Sequence, residues 1–319
     1  MDLNNRTVLV TGAGVRLGQA IAVSLGQQGM NVALHYHQSL EGAKETLGLI
    51  GGDFKQHGCF QADLRQVSEI ELLILQIEAQ LGQIDVLINN AGVEAGAKTY
   101  TMIDDEDWDY VFDTNLKAAW RLSKFYTQWV AEQGGTGSIV NIASITAYRT
   151  IKGQFPYAVS KAALVKATEI MALEGARYGV RVNALAPGYI LTDVSRVLLE
   201  SERSSEFVKG IPMRRYGEFS DLDRILSRLA LLRNIVRENP DAIIITERSV
   251  FTDREVFAKM LYDDNKLQFL FQNSNSSLSQ SQQVPFREVP GSGHVRGGVP
   301  GFLREQRAEG GAEDSEREP

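Results

Sequence analysis

Thr7-Val8-Leu9-Val10-Thr11-Gly12-Ala13-Gly14-Val15-Arg16-Leu17-Gly18 joins a short apolar run to a glycine-rich turn, and Gln19-Ala20-Ile21-Ala22-Val23-Ser24-Leu25 follows as a helical pattern. The order reads as strand, tight turn, helix. Glycines at such a turn let the backbone approach a pyrophosphate, whose charge then rests on the amides of the helix N-terminus. Many strand-to-helix turns are merely tight, so this turn alone decides little.

Strand-like runs recur at Thr7–Thr11, Asn31–His35, Phe54–Gln61, Val86–Asn89, Ser138–Ala143 and Val180–Leu185. Helical patterns separate them. In Ser68–Leu81 the residues Ile70, Leu73, Ile74, Ile77 and Leu81 share one face, and Ser68 with Glu71 has the form of a capping box. Alternation at these spacings predicts a doubly wound α/β fold, a parallel sheet covered by helices on both faces. Ligands in such sheets bind outside the carboxyl ends of the strands, where the winding reverses. Gly12, Asp63, Asn90 and Ser144 all fall at or just after those ends.

Tyr157 and Lys161, in Tyr157-Ala158-Val159-Ser160-Lys161, stand four residues apart at the start of a helical segment, so phenol and ammonium share a helix face. A free tyrosine titrates near ~10 and is a poor acid–base group at neutral pH. A fixed cation beside it favours the phenolate and moves its pKa toward the working range. Ser144, 13 residues upstream, ends a strand-like run and can hold a substrate oxygen against the phenol. The pair alone would most often be a surface tyrosine beside a solvated lysine.

Together with Asp63, Asn89-Asn90-Ala91-Gly92, Asn115 and Pro187-Gly188, in this order and spacing, these motifs make residues 3 to about 222 resemble the short-chain dehydrogenase/reductase family. The resemblance implies an NADP(H)-dependent carbonyl reductase or alcohol dehydrogenase. Tyr157 would be the proton donor, Lys161 the group that holds the ribose and lowers the tyrosine pKa, and Ser144 the group that fixes the substrate oxygen. Asn115 would hold a water linking Lys161 to solvent. Gly12, Arg16, Leu17 and Gly18 would line the cofactor phosphates. Asp63 would accept from the adenine amino group, with Leu64 beside it, although as a bare feature Asp63 reads equally well as a helix cap. Asn90, Ala91 and Gly92 would close over the cofactor, and Asn89 is structural. Pro187, Gly188, Ile190 and Thr192 would carry the nicotinamide amide, and Val194–Lys209 corresponds to the substrate lid.

Arg16 replaces the glycine most common at its position, as in the pteridine-reductase-like branch. The second strand ends His35-Tyr36-His37-Gln38-Ser39 without an acid to hold a free ribose hydroxyl pair. An arginine with His37 and Ser39, and no carboxylate to repel a 2′-phosphate, suits NADP(H). The serine at 144 favours a general ketoreductase similar to the 3-oxoacyl-carrier-protein reductases over the pteridine reductases proper.

At 319 residues, 43% hydrophobic and 23% charged, the chain has room for one large domain, or for one domain with an appendage. A net charge of −7 argues against nucleic-acid and anionic-membrane partners. The resemblance implies a small carbonyl or alcohol substrate and homo-oligomers, tetramers or dimers, built partly on the helices near 106–131 and 157–178. No apolar run approaches the ~18 residues of a membrane span. Met1–Arg6 leads directly into the first strand, leaving no room for a signal peptide, and the single cysteine, Cys59, suits a cytoplasmic setting. It reads as a small buried hydrophobe. The histidines, His35 and His37 included, make no metal site.

Near residue 222 the pattern changes. Ile211–Leu222 still matches the family, but residues 223–264 resemble the middle of a deoxynucleoside kinase around Glu247-Arg248-Ser249. Leu222, Ile225, Leu226, Leu229, Leu232 and Val236 recur at helical spacing over 223–238, and Ala242–Thr246 reads as a buried strand. Helix then strand is the order in which the family finishes its sheet. Independent kinase activity is not expected, since the chain has no Gly-Lys pair with which to cradle phosphates. From 265 onward the composition is that of a disordered tail, with half of the eight prolines in the last 48 residues and no Ile, Met, Tyr or Trp there. The expected organisation is therefore 1–222 as the reductase domain, 223–264 as a segment able to complete the sheet, and 265–319 as tail. The alternative is a fusion that keeps the cofactor-binding residues but is catalytically impaired by an open sheet edge.

Overall fold

Strand after strand, the apolar runs of this chain alternate between two cores. The computed structural model describes residues 3–51, 56–191, 208–209, 211, 214–222 and 226, and the backbone of 244–246. Six strands, β1 (Thr7–Val10), β2 (Asn31–Tyr36), β3 (His57–Gln61), β4 (Ile84–Asn89), β5 (Gly137–Ile142) and β6 (Val180–Ala186), lie parallel with β7 (Ile244–Thr246) in the order β3-β2-β1-β4-β5-β6-β7. The winding reverses between β1 and β4, which pair directly from Val8↔Val86 to Val10↔Ile88.

Side chains on successive strand residues point to opposite faces. Val8 and Val10 of β1 enter one core with Ile21, Ala22 and Leu25 of α1 (Arg16–Gln27) and Ile50 of α2 (Leu40–Ile50). Leu9 enters the other, with Ile70, Leu73, Ile74 and Ile77 of α3 (Val67–Leu81), Leu122 and Val130 of α5 (Ala118–Glu132), and Ala172 of α6 (Phe155–Gly175). Complete burial of one such leucine contributes about 1.5–3 kcal/mol. α4 (Asp105–Phe112) leads into α5 through a π-helical turn, Asp113–Lys117. The single helix expected over 106–131 is therefore interrupted, and the interruption falls on Asn115.

Two local expectations fail. The strand expected from Phe54 begins at His57, Phe54 being outside the described residues. The capping box of Ser68 and Glu71 does not form: α3 starts at Val67, Ser68 lies inside it, and its cap residue Gln66 makes no side-chain bond. Glu69 instead accepts the Asp63 N–H at 2.6 Å, so the acid in the first turn ties the helix to the end of β3. Cys59 is half-buried and packs against the first core.

The C-terminal segment enters the description at a few points. Leu222 and Leu226 are buried in the first core, and β7 runs parallel to β6 with Ala184↔Ile244 and Ala186↔Thr246 in register. Apart from Leu226 and β7, the kinase-like stretch 223–264 and the tail from 265 lie outside the described residues.

His35 fixes the upper edge of the sheet. Its Nδ1 accepts the Gly12 N–H at 3.1 Å, so Nε2 carries the proton and donates to the Ala62 carbonyl at 3.0 Å. Burial lowers its pKa from the usual 6.5 to about 4, the Ala62 bond opposing the shift only in part. The fold thus requires neutral imidazole, whereas the unfolded chain takes up a proton below pH ~6.5. Stability is fully present above that value and falls with acidification toward pH 4, by on the order of 3 kcal/mol from this group. Thermal unfolding between pH 8 and pH 4.5 should show a steeper loss in the parent chain than in His35→Gln; parallel curves would assign the titration to other groups.

Candidate active site

At the turn between β1 and α1, Gly12 adopts φ +64°, the left-handed region that glycine enters freely. Gly18 is held for a different reason: a Cβ there would stand 2.1 Å from the Gly12 carbonyl oxygen. Arg16 also lies at positive φ, +53°, where a residue with a Cβ is strained by about 1–2 kcal/mol. Its side chain is exposed, while Leu17 packs partly against the core. The cap residue of α1, Val15, makes no side-chain hydrogen bond, and the first turn of the helix holds no acidic residue. Those amides and the helix dipole therefore face outward with no side-chain anion to meet them.

Thr11 was not singled out from sequence, yet it joins the first turn to the next strand end. Its Oγ1 donates to the Ile88 carbonyl at 3.3 Å and accepts the N–H groups of Asn90 and Ala91, both at 2.9 Å. The Asn90 side chain donates back to the Thr11 carbonyl at 2.9 Å, so it braces the turn. Behind it Asn89 donates to Ser123 Oγ at 2.9 Å and Asn141 Oδ1 at 2.8 Å, in keeping with a structural role. Asn141 in turn donates to Thr168 Oγ1 of α6 at 2.8 Å.

Around the end of β2, His37 and Ser39 are both exposed. Asp63 is not a helix cap. Its carboxylate is held bidentately by Arg65, with Nε to Oδ1 at 2.9 Å and a terminal nitrogen to Oδ2 at 2.7 Å. That bond holds the carboxyl below the usual carboxylate range, and His37 Nε2 lies 3.9 Å away. The Leu64 side chain is buried with α3, so only its main chain is free to face the strand ends.

Tyr157 and Lys161 stand one turn apart on α6, with Lys161 Nζ 5.7 Å from the centre of the phenol ring. Lys161 is only 3% exposed and donates to the Ile142 carbonyl at 2.7 Å. Ser144, 8% exposed, caps the short turn Ile145–Ala147 and stands beside the Tyr157 phenol, whose pKa it acts to lower. Asn115 completes the group. Its Oδ1 accepts the Val93 N–H at 2.8 Å, while its Nδ2 donates to the Val93 carbonyl at 3.0 Å and to Ser160 Oγ at 3.1 Å. Both amide hydrogens are therefore engaged by protein. The π turn is what brings this side chain around, as one extra residue in a helix re-aims the groups beside it.

The expected lowering of the Tyr157 pKa by Lys161 is not found. Burial pushes the phenol up to about 12, against the lowering by Ser144, and Glu94 adds to the rise. Burial also pulls Lys161 down to about 8, and Glu94 resists. Desolvation penalises both charged forms, and at this separation it outweighs their attraction.

Ser160 and Glu94 were likewise not singled out from sequence. Ser160 is fully buried and donates to the Tyr157 carbonyl at 2.7 Å while accepting from Asn115. A serine inside a helix at this spacing commonly bonds back to the preceding turn, which was the available signal. Glu94 gave none, because its effect depends on where the loop after β4 passes. Pro187, Gly188 and Ile190 follow β6: the Pro187 carbonyl accepts from Ile145 N at 2.9 Å, and Ile190 is buried. Thr192 and most of the expected lid lie outside the described residues. Among the described residues no helix is long and apolar enough to cross a membrane, and no cluster of three His, Cys, Asp or Glu could hold a metal.

Residues 6–203 match the short chain dehydrogenase family. The chain is 33% identical over 226 residues to a 3-oxoacyl-acyl-carrier-protein reductase of Staphylococcus epidermidis, covering 71% of this chain and 91% of that one. It is 31% identical over 217 residues to glucose 1-dehydrogenase 2 of Bacillus subtilis, covering 68% and 84%. A crystal structure of a gluconate 5-dehydrogenase from Burkholderia cenocepacia, in complex with NADP and tartrate, superposes with a TM-score of 0.68 at 25% identity, covering 78% of this chain and 96% of that one. With a parallel sheet that reverses between β1 and β4 and a Tyr-x-x-x-Lys pair at the strand ends, the chain belongs to the short-chain dehydrogenase family of oxidoreductases.

Proposed function

We propose that this protein is an NADP(H)-dependent carbonyl reductase, acting in reverse as an alcohol dehydrogenase, with Tyr157 as its proton donor. The observation that carries the reading is the grouping of Ser144 beside the Tyr157 phenol with buried Lys161 one helical turn away, its Nζ 5.7 Å from the phenol ring centre. A nicotinamide cofactor supplies the hydride when bound. Ser144 and Tyr157 then hold the substrate oxygen from two sides, and the phenol gives up its proton as charge develops there. A phenol held up to about 12 by burial is fully protonated at neutral pH, the state a donor needs. Lys161 keeps a positive charge beside it, and Asn115 and Ser160 fix the lysine's helix against the loop after β4.

The residues present fit a phosphorylated dinucleotide. The uncapped first turn of α1 offers amides to the pyrophosphate, with Arg16 exposed beside them. His37 and Ser39 end β2 with no carboxylate between them, and the acid of the next helix turn, Glu41, is paired with Lys44 at 2.8 Å. A 2′-phosphate would meet donors there, and the nearby carboxylate of Asp63, 3.9 Å from His37, is itself paired with Arg65. Gly12, Gly18, Asn90, Ala91 and Gly92 would line the rest, with Pro187, Gly188, Ile190 and Thr192 at the nicotinamide and Asp63 and Leu64 at the adenine.

Residues 223–246 would complete the sheet of the reductase domain. Burial of Leu222 and Leu226 and the pairing of β7 with β6 favour this over an open edge. Limited proteolysis should spare 223–246 and cut beyond about 265; early release of a fragment ending near Asp221 would refute it.

Tyr157→Phe should leave NADPH affinity nearly intact and lower turnover by roughly two to four orders of magnitude. Retention of most of the activity would remove Tyr157 from the mechanism. Because the ammonium of Lys161 is lost as pH rises through about 8, NADPH affinity should weaken between pH 7 and 9 in the parent chain and be low throughout in Lys161→Ala. Calorimetric titration should also find NADPH bound more tightly than NADH, with Arg16→Ala giving up about 1–3 kcal/mol of that preference. Equal affinities in the parent chain would exclude the NADP(H) assignment.

A further inference from the structure

We propose that Arg65 is a positioning residue: it turns one oxygen of Asp63 into the cofactor crevice and so makes the site selective for adenine over a purine with a carbonyl at position 6. The proposal rests on the NADP(H) reading, with Asp63 at the base, and adds the residue that sets the selectivity. Its starting point is the strand order. A pyrophosphate at the first turn of α1 and a 2′-phosphate at the end of β2 leave the base to lie further out, where the next strand is β3. β2 and β3 pair in register from Val32↔His57 to Tyr36↔Gln61, so His37 and Asp63 stand at neighbouring strand ends.

An ionised carboxylate offers about four acceptor positions. Oδ1 of Asp63 takes two donors, the Arg65 main-chain N–H at 3.0 Å and the Arg65 Nε at 2.9 Å. Oδ2 takes the Arg65 Nη2 at 2.7 Å, with a longer contact from Nε at 3.2 Å. Oδ1 is therefore saturated, and the acceptor position left over belongs to Oδ2. Oδ2 is also the oxygen turned toward the end of β2, 3.9 Å from His37 Nε2. The pair with Arg65 keeps the group ionised, below the usual carboxylate range. What meets the open position must donate. The amino group of adenine does, whereas a carbonyl at position 6 sets a second acceptor against a charged oxygen and leaves both unpaired.

Arg65 is held from its other side. Its guanidinium carbon lies 5.9 Å from the centre of the Tyr110 ring on α4. The turn itself does not depend on this side chain. Glu69 accepts the Asp63 N–H at 2.6 Å, the Asp63 carbonyl accepts the Gln66 N–H at 2.8 Å, and Arg121 Nη1 donates to the Arg65 carbonyl at 2.7 Å. Without the guanidinium, Oδ1 keeps one main-chain bond and the plane of the carboxylate is free to rotate. A lysine restores the charge but not the two parallel bonds that fix that plane. The Arg65 side chain thus sets the direction of the acceptor, and the main chain sets the turn.

The test measures, by calorimetric titration of the full chain at pH 7, the affinities of NADPH and of its hypoxanthine counterpart, in which a carbonyl replaces the 6-amino group. The parent chain should bind NADPH roughly 10- to 100-fold more tightly, the range for one hydrogen bond to a charged group. In Arg65→Ala and in Arg65→Lys that ratio should fall at least ~5-fold. The two cofactors carry the same phosphates and a purine of the same size, so any lost attraction for phosphate or lost stacking cancels in the ratio. A merely structural role would weaken both alike. Equal affinities in the parent chain, or an unchanged ratio in both variants, would overturn the proposal and leave the reductase reading intact. Loss of the cooperative thermal transition in both variants would make Arg65 a structural residue and overturn it as well. Failure of the parent chain to bind NADPH would bring down the NADP(H) reading itself, and this proposal with it.

Discussion

The Thr11 hydroxyl and the Asn90 side chain hold together the point at which the sheet changes direction. β1 and β4 are neighbours whose following segments diverge to opposite sides, and divergence leaves main-chain groups at both strand ends without sheet partners. Thr11 Oγ1 accepts two of those N–H groups and Asn90 Nδ2 covers the Thr11 carbonyl. The crevice that remains between the two turns is therefore rigid and satisfied. Everything that could bind a dinucleotide, Gly12 and Arg16 on one side and Ala91 and Gly92 on the other, is positioned by that junction. His35 extends the same bracing sideways, from the Gly12 amide to the end of β3.

Placing Lys161 at 3% exposure with a main-chain carbonyl as acceptor is expensive, and the fold is organised so that the charge is kept. The polar chain Asn89–Asn141–Thr168 and the pair Asn115–Ser160 anchor α6 from behind and from the side. Neither set touches the phenol. Both fix the helix that presents it. The π turn at Asp113–Lys117 belongs to the same arrangement: a regular helix through Asn115 would carry its amide past Val93.

Electrostatics at the site run opposite to a simple pairing of cation and phenol. Burial dominates, raising the tyrosine to about 12 and lowering the lysine to about 8. The carboxylate of Glu94 pushes both groups toward their protonated forms. A site so biased keeps the phenol protonated at neutral pH.

The sheet, its parallel winding and the positions of Gly12, Ser144, Tyr157 and Lys161 were legible in the chain itself, because hydrophobic period and glycine placement act locally and a four-residue spacing has one meaning on a helix. Short-range signals also misled. Ser68 and Glu71 had the letters of a capping box, but Glu69 found the Asp63 amide and the helix began a residue earlier. Asp63 had the form of a cap and was claimed by Arg65. Thr11, His35, Ser160 and Glu94 carried no usable pattern, since their partners lie 77, 27, 45 and more than 60 residues away in sequence. The direction of the Tyr157 shift belongs with them. Spacing determined that a cation stands near the phenol, but only the packed structure sets how much water each has lost, and desolvation decided the sign.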